Sequence, residues 1–145
     1  MKKQFIAIGL AAVVLIGLMV YFGISIGPAR VDFQQISEKK IPREIDAEIM
    51  PEYRELERAF ACRVGDEVYV VVTRGTKPTT GFEVSVDKME LSAKDDKSKL
   101  TVYADFADPE HPERLAQVKS YPYTVVRADM KGLPDEIELK VNYIK

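Results

Sequence analysis

Glu67-Val68-Tyr69-Val70-Val71-Val72-Thr73, EVYVVVT, is apolar on both faces and dense in β-branched residues. That is the composition of a strand covered on each side, so the run predicts a central strand. Just upstream the period is different. Ile45, Ile49, Tyr53, Leu56 and Phe60 recur at intervals of 4, 4, 3 and 4, which places all five on one face of an amphipathic helix. Pro51 is tolerated at a first helical position and Glu52 favours the positive dipole end, so the firm helix is expected from Pro51 to Ala61. Gly65-Asp66 then ends the helical period and starts the sheet.

Downstream the period stays at 2. Phe82, Val84 and Val86 alternate with Glu83, Ser85 and Asp87, and Leu100, Val102, Ala104 and Phe106 share one face of a strand over Lys99–Phe106. Leu115–Arg127 reads as a further extended region broken by Pro122. Glu136–Ile144 closes the chain with Ile137, Leu139, Val141 and Tyr143 on one face. Upstream, Val31, Phe33 and Ile36 give a weaker first strand over Val31–Ile36. Polar turns rich in Asp, Pro and Gly separate these runs, at Lys94–Lys97, Asp108–Pro112 and Lys131–Pro134. Successive strands without intervening helices imply antiparallel pairing. The fold class is therefore mainly β (α+β): an antiparallel β sandwich or partly open barrel, with one amphipathic helix over an edge or face.

An N-terminal transmembrane helix is expected before this domain. Phe5–Ile26, FIAIGLAAVVLIGLMVYFGISI, is 22 residues without a charge, an Asn or a Gln. As a helix it measures about 33 Å, matched to a hydrocarbon core of about 30 Å. Lys2 and Lys3 precede it, and its length exceeds the apolar region of a cleavable signal peptide. Residues 1–27 thus read as a short cytoplasmic tail and a signal anchor, and residues 28–145 as one extracytoplasmic domain. The implied location is the cell membrane, single-pass, with residues 5–26 in the lipid bilayer. Gly27-Pro28-Ala29 keeps a competing reading, cleavage after Ala29, because small residues stand where a signal peptidase reads. With almost no linker, the domain is expected to begin at the membrane surface.

Composition excludes several function classes. The formal charge is −2 for the whole chain and −4 for residues 28–145, since Lys2 and Lys3 are the only charges before them. No basic footprint for nucleic acid exists. Cys62 is the only cysteine, so no intrachain disulfide can form; it is expected as a buried thiol near the helix end. His111 is the sole histidine and sits in a turn between Glu110 and Pro112. Asp95, Asp96, Asp105, Asp108 and Glu110 lack the oxygen spacing of a calcium loop. No nucleophile has a histidine base nearby in sequence, and Gly75 and Gly81 do not form a phosphate loop. No catalytic residue, metal ligand or cofactor is assigned. An enzyme would require His111 to join a serine or carboxylate within a convergent polar pocket.

What stands out is Lys77-Pro78-Thr79-Thr80-Gly81-Phe82, between two strands. Its proline, its glycine and its hydroxyls suit one fixed loop shape. A preformed loop loses less entropy on docking to a partner. The plainer reading is that it only connects two strands. Tyr121-Pro122-Tyr123 is the second such segment, where proline marks an edge, a bulge or a cis bond.

Together these segments resemble the C-terminal domain of the protease complex subunit PrcB. Members of that family have a strand, a Lys-Pro-Thr-Gly-Gly-Tyr type loop and a later Tyr-Pro-Tyr segment. Here the order is Val70-Val71-Val72, Lys77–Phe82 and Tyr121-Pro122-Tyr123-Thr124-Val125-Val126, over roughly residues 68 to 143. Thr80 stands where the family has glycine, and Phe82 where it has tyrosine. The resemblance implies an accessory domain without chemistry of its own, associated with an extracytoplasmic protease complex. Pro78-Thr79-Thr80-Gly81-Phe82 is also similar to the Asn-Pro-Thr-Thr-Gly-Tyr loop of chagasin-like inhibitors of cysteine peptidases. Lys77 replaces the asparagine there, and the Gly-x-Gly-Gly and Arg-Pro-Trp elements are missing. The function expected is a membrane-anchored, non-enzymatic domain that binds another extracytoplasmic protein, a protease being one candidate, through Lys77, Pro78, Thr79, Thr80, Gly81, Phe82, Tyr121, Pro122 and Tyr123. Peptidase inhibition through the loop is the alternative.

Overall fold

A computed structural model describes residues 26–144. Apart from Ile26, the segment read as membrane-spanning lies outside the described residues. Among the described residues no helix is long and apolar enough to cross a membrane.

Two four-stranded sheets face each other. One has the order β1 (Ile26–Arg30), β5 (Glu83–Lys94), β6 (Lys97–Ala107), β8 (Glu136–Ile144); the other has the order β2 (Phe33–Gln35), β7 (Tyr123–Ala128), β4 (Glu67–Arg74), β3 (Glu57–Val64). This is a sandwich with no closed barrel. Val68, Val70 and Val72 of β4 meet Met89 of β5 and Leu100, Val102, Ala104 and Phe106 of β6 in the core between the sheets. Val71 faces the other way, onto Ile45 and Met50. EVYVVVT is apolar on both faces because one face meets the opposite sheet and the other meets a helix. It lies between β7 and β3, so its central position is borne out.

The helix is displaced from its expected place. A wide π-type helix over Glu44–Ile49 runs into α1 (Met50–Tyr53), and nothing from Glu57 to Ala61 is helical. The Met50 N–H bonds the Ile45 carbonyl, five residues back, and Pro51 has no N–H with which to continue a regular ladder. Residues 57–64 form β3 instead, paired along their whole length with β4. Ala59 and Ala61 face the core between the sheets, while Phe60, Cys62 and Val64 face the helix. That alternation is a period of 2, hidden because small alanines carry the inner face. Gly65, at φ +61°, makes the two-residue turn with Asp66 that closes the β3–β4 hairpin. Of the five residues expected on one helical face, Leu56 is exposed. Phe60 still meets Tyr53, with ring centroids 5.1 Å apart, but it does so from a strand.

Three other expectations change. The first strand divides, because the chain leaves one sheet at Arg30 and enters the other at Phe33. Within Leu115–Arg127 only Tyr123 onward is strand. The sheets are also not wholly antiparallel, since β8 lies parallel to β6. Between them the chain crosses to the other sheet, forms β7 and returns, which supplies the long connection a parallel pair needs. The β5–β6 hairpin, by contrast, turns at Lys94–Lys97 as expected, with positive φ at both Asp95 and Asp96.

Cys62 is half-buried on β3 against the helix, and burial pushes its thiol pKa up. The thiolate is the nucleophile, so native chain is expected to react with iodoacetamide at pH 7.5 about tenfold more slowly than urea-unfolded chain. Equal rates, read by mass spectrometry, would show the thiol to be open.

Candidate functional site

Strand directions bring the two singled-out segments to one end of the sandwich. There β4 ends and β5 begins, joined by residues 75–82, and β6 ends and β7 begins, joined by residues 108–122. Lys77 and Ser120 exchange two backbone hydrogen bonds of 2.9 Å, and the Arg74 N–H donates to the Pro122 carbonyl at 3.0 Å. The Ser120 hydroxyl donates to the Thr79 carbonyl at 2.6 Å, and the Thr80 N–H to that of Ala116 at 3.3 Å. Each loop thus supplies the backbone partners the other lacks, as any segment outside a sheet requires.

Thr79 is buried and its hydroxyl donates to the Thr80 carbonyl, so its side chain works inside the loop. Pro78 and Gly81 are exposed, and Lys77, Thr80, Phe82, Tyr121, Pro122 and Tyr123 are partly so. Among the described residues every peptide bond is trans, and Pro122 stands immediately before β7 rather than within it. Tyr121 is capped by Arg54 from the end of the helix, whose guanidinium carbon lies 4.1 Å from the ring centroid.

Two residues fix the loop's shape. Gly81 has φ +92°, and a Cβ there would stand 2.5 Å from Leu115 Cδ1 and 3.2 Å from Pro109 Cβ. Leu115 can swing aside, but the backbone conformation cannot be relieved. Gly81→Ala is therefore expected to destabilise the chain by about 1–3 kcal/mol, read as a lowered urea midpoint; an unchanged midpoint would mean that the loop relaxes freely. Arg74 is the second. Its side chain is 3% exposed, pairs with Asp108, and donates to the Ala107 carbonyl at 2.9 Å and to the Glu83 carbonyl at 3.5 Å. It also lies 5.0 Å from the Phe82 ring centroid and 5.1 Å from that of Phe106. The sequence signal for it, a single arginine closing an apolar strand, was open to reading as an ordinary solvated strand end.

An open groove of about 700 Å³ lies at this end, between the two sheets. Six of the nine residues expected to bind a partner line it: Thr80, Gly81, Phe82, Tyr121, Pro122 and Tyr123. Glu38, Glu83 and Asp105 also border it, and no Lys or Arg does. Ile144, which also lines it, is exposed, and exposed Leu56, Val118 and Tyr143 stand at the same end of the sandwich by their places beside Glu57, Ser120 and Phe106. Leu133, the other large exposed apolar residue, lies in the β7–β8 connection at the far end. A second depression of about 950 Å³ sits at that far end and mixes Arg30, Arg127 and Lys131 with Asp66 and Asp129.

Chain entry is at the end opposite the groove. Ile26 pairs with Ala93 beside the β5–β6 turn, whereas the groove borders Glu83 at the start of the same strand. Ten residue steps along β5 separate the two by about 30 Å.

The residues set aside for chemistry do not gather here. His111 Nδ1 stands 3.3 Å from Glu113 Oε1, but both are exposed on the same 3-10 turn and neither borders the groove. Asp95 and Asp96 lie in the far hairpin, Asp108 is taken by Arg74, and Asp105 accepts a bond from Asn142 at 3.1 Å. Among the described residues no three potential metal ligands converge.

The family model of the PrcB C-terminal domain matches residues 68–129. It spans β4 to β7 with both loops, so the resemblance carried by Lys77–Phe82 and Tyr121–Tyr123 is borne out over that stretch, ending short of β8. No curated protein and no solved structure matches the chain.

Proposed function

We propose that this chain is a membrane-anchored, non-enzymatic accessory subunit whose PrcB-type segment docks another extracytoplasmic protein, in keeping with the protease complex for which that family is named. The observation that carries this reading is the joining of Lys77–Phe82 to Tyr121–Tyr123 along one wall of a groove that Phe82, Tyr121, Tyr123 and exposed Ile144 line. Aromatic and apolar side chains left open to water at one end of a fold are what partners cover. In native membranes, crosslinking is expected to capture a partner, and Thr80→Trp is expected to reduce capture about tenfold, or 1.4 kcal/mol. Undiminished capture would reduce the loop to a connection between strands.

Anchoring without cleavage draws support from β1. Cleavage after Ala29 would remove four of its five residues, including the partners of Ala93 and Leu91. Val31, just beyond, is buried and bonds the Met89 carbonyl at 2.9 Å. The membrane-bound chain is therefore expected to keep residues upstream of Ile26 in N-terminal sequencing, and a mature start at Arg30 would overturn this. The chain enters the described domain about 30 Å along β5 from the groove, so a partner in the groove is held away from the entry point rather than beside it.

The loop's place at one end of the sandwich favours cleft insertion as a second reading. Its backbone bonds to Ala116 and Ser120 hold it against a neighbouring loop, which favours docking over plugging. Inhibition of papain by the full chain at micromolar concentration would reverse that order.

A further inference from the structure

β5 is only half covered on its outer side. β1 reaches Glu90, Leu91 and Ala93, and Val31 adds a bond to Met89; the chain then leaves for the other sheet. Glu83–Asp87 pair with β6 on one side but have no strand beside them on the other among the described residues. This open edge borders the groove through Glu83, Val84 and Ser85, with Phe82, Tyr121 and Tyr123 around it. An unpaired edge presents backbone donors and acceptors that an added strand can satisfy. The usual protections against such addition are charged side chains, above all lysine, together with proline, a bulge or a covering segment. The groove-lining stretch Glu83–Ser85 has no lysine or proline, its one charge is Glu83, and the bulge between Val86 and Lys88 ends the regular edge just after Val86.

Charge selects the occupant. Glu83 of the edge strand, Asp105 of β6 and Glu38 of the turn after β2 border the groove, and no Lys or Arg does. Glu83 and Asp105 lie on the face of their sheet away from core-packed Val84 and Phe106. A basic strand added to β5 can therefore place one row of side chains beside them while its alternate row turns toward the aromatic wall.

We propose that the groove receives an extended, lysine- or arginine-bearing segment of a partner protein, added as a strand to β5 at Glu83–Val86 in line with β1. This rests on the docking reading above and narrows it to a binding mode and a partner chemistry.

The test uses the full chain in detergent micelles and fluorescein-labelled heptapeptides, followed by anisotropy. An alternating Val-Lys peptide is expected to bind at least tenfold tighter than its Val-Glu counterpart, and to weaken at least tenfold when alternate amides are N-methylated. Glu83→Lys combined with Asp105→Lys is expected to reverse the charge preference. Equal affinity for the two peptides, or indifference to N-methylation, overturns the proposal. So does a concentration-dependent dimer in sedimentation that Glu83→Lys dissociates, because the occupant is then a second copy. If no peptide binds while native capture persists and still falls with Thr80→Trp, strand addition fails and loop docking stands. If capture also ignores Thr80→Trp, both fail.

Discussion

Arg74→Ala is expected to lower stability by about 3–4 kcal/mol, the sum of a cavity and of two carbonyls left without their donor. The two ends of the ion pair are not equivalent. Arg74 is almost wholly enclosed, whereas the side chain of Asp108 is 43% exposed and returns to water when its partner is lost. What Arg74→Ala leaves behind is a cavity next to Phe106 and two carbonyls, those of Glu83 and Ala107, without their donor. Arg74→Met fills the volume but not the bonds, so its cost should fall to about half that of alanine. Asp108→Ala is expected to cost about 3 kcal/mol by another route, since it strands a buried cation on carbonyl oxygens alone. Urea unfolding of the full chain in detergent measures all three. A cost below about 1 kcal/mol for Arg74→Ala would mean that the guanidinium is solvated and does not order the loops.

This residue also shows where the sequence was transparent and where it was not. Strands with one buried face were legible by alternation: Leu100, Val102, Ala104 and Phe106 all lie inside. Two-sided burial of β4 was legible from its unbroken valines. β3 was not, because its inner face consists of alanines whose hydropathy blends into the helical spacing of Ile45, Ile49, Tyr53 and Phe60. That spacing was satisfied by a different geometry, a short helix and a strand meeting on one sheet face. The direction of β8 was equally hidden, since side-chain period carries no information about strand polarity. In the site, the composition of both loops announced order, but nothing local announced that Lys77 would bond Ser120 across 43 positions. The acids that border the groove come from three separate elements, Glu38, Glu83 and Asp105, and only the sheet topology brings them to one end.

Phe106→Ala is expected to cost about 3–5 kcal/mol, as for a fully enclosed aromatic ring that leaves a cavity. The ring is wholly buried and meets Tyr143 edge-on, with centroids 5.7 Å apart at 86°. Arg74 touches it from the side of the loops. Phe82 approaches the same guanidinium but is only partly buried and lines the groove. Phe82→Ala should therefore cost less than about 1.5 kcal/mol of stability, because water already reaches the ring and little cavity forms. Its effect should fall on partner capture instead. The two aromatic neighbours of one arginine divide the work: Phe106 fixes the guanidinium from the core, and the guanidinium in turn positions Phe82 at the groove. A Phe82→Ala chain that unfolds as readily as Phe106→Ala would place both rings in the core and remove the groove's aromatic wall. A Phe106→Ala chain of native stability would show that the end of β6 is not packed, and the loops above it would then have no fixed base.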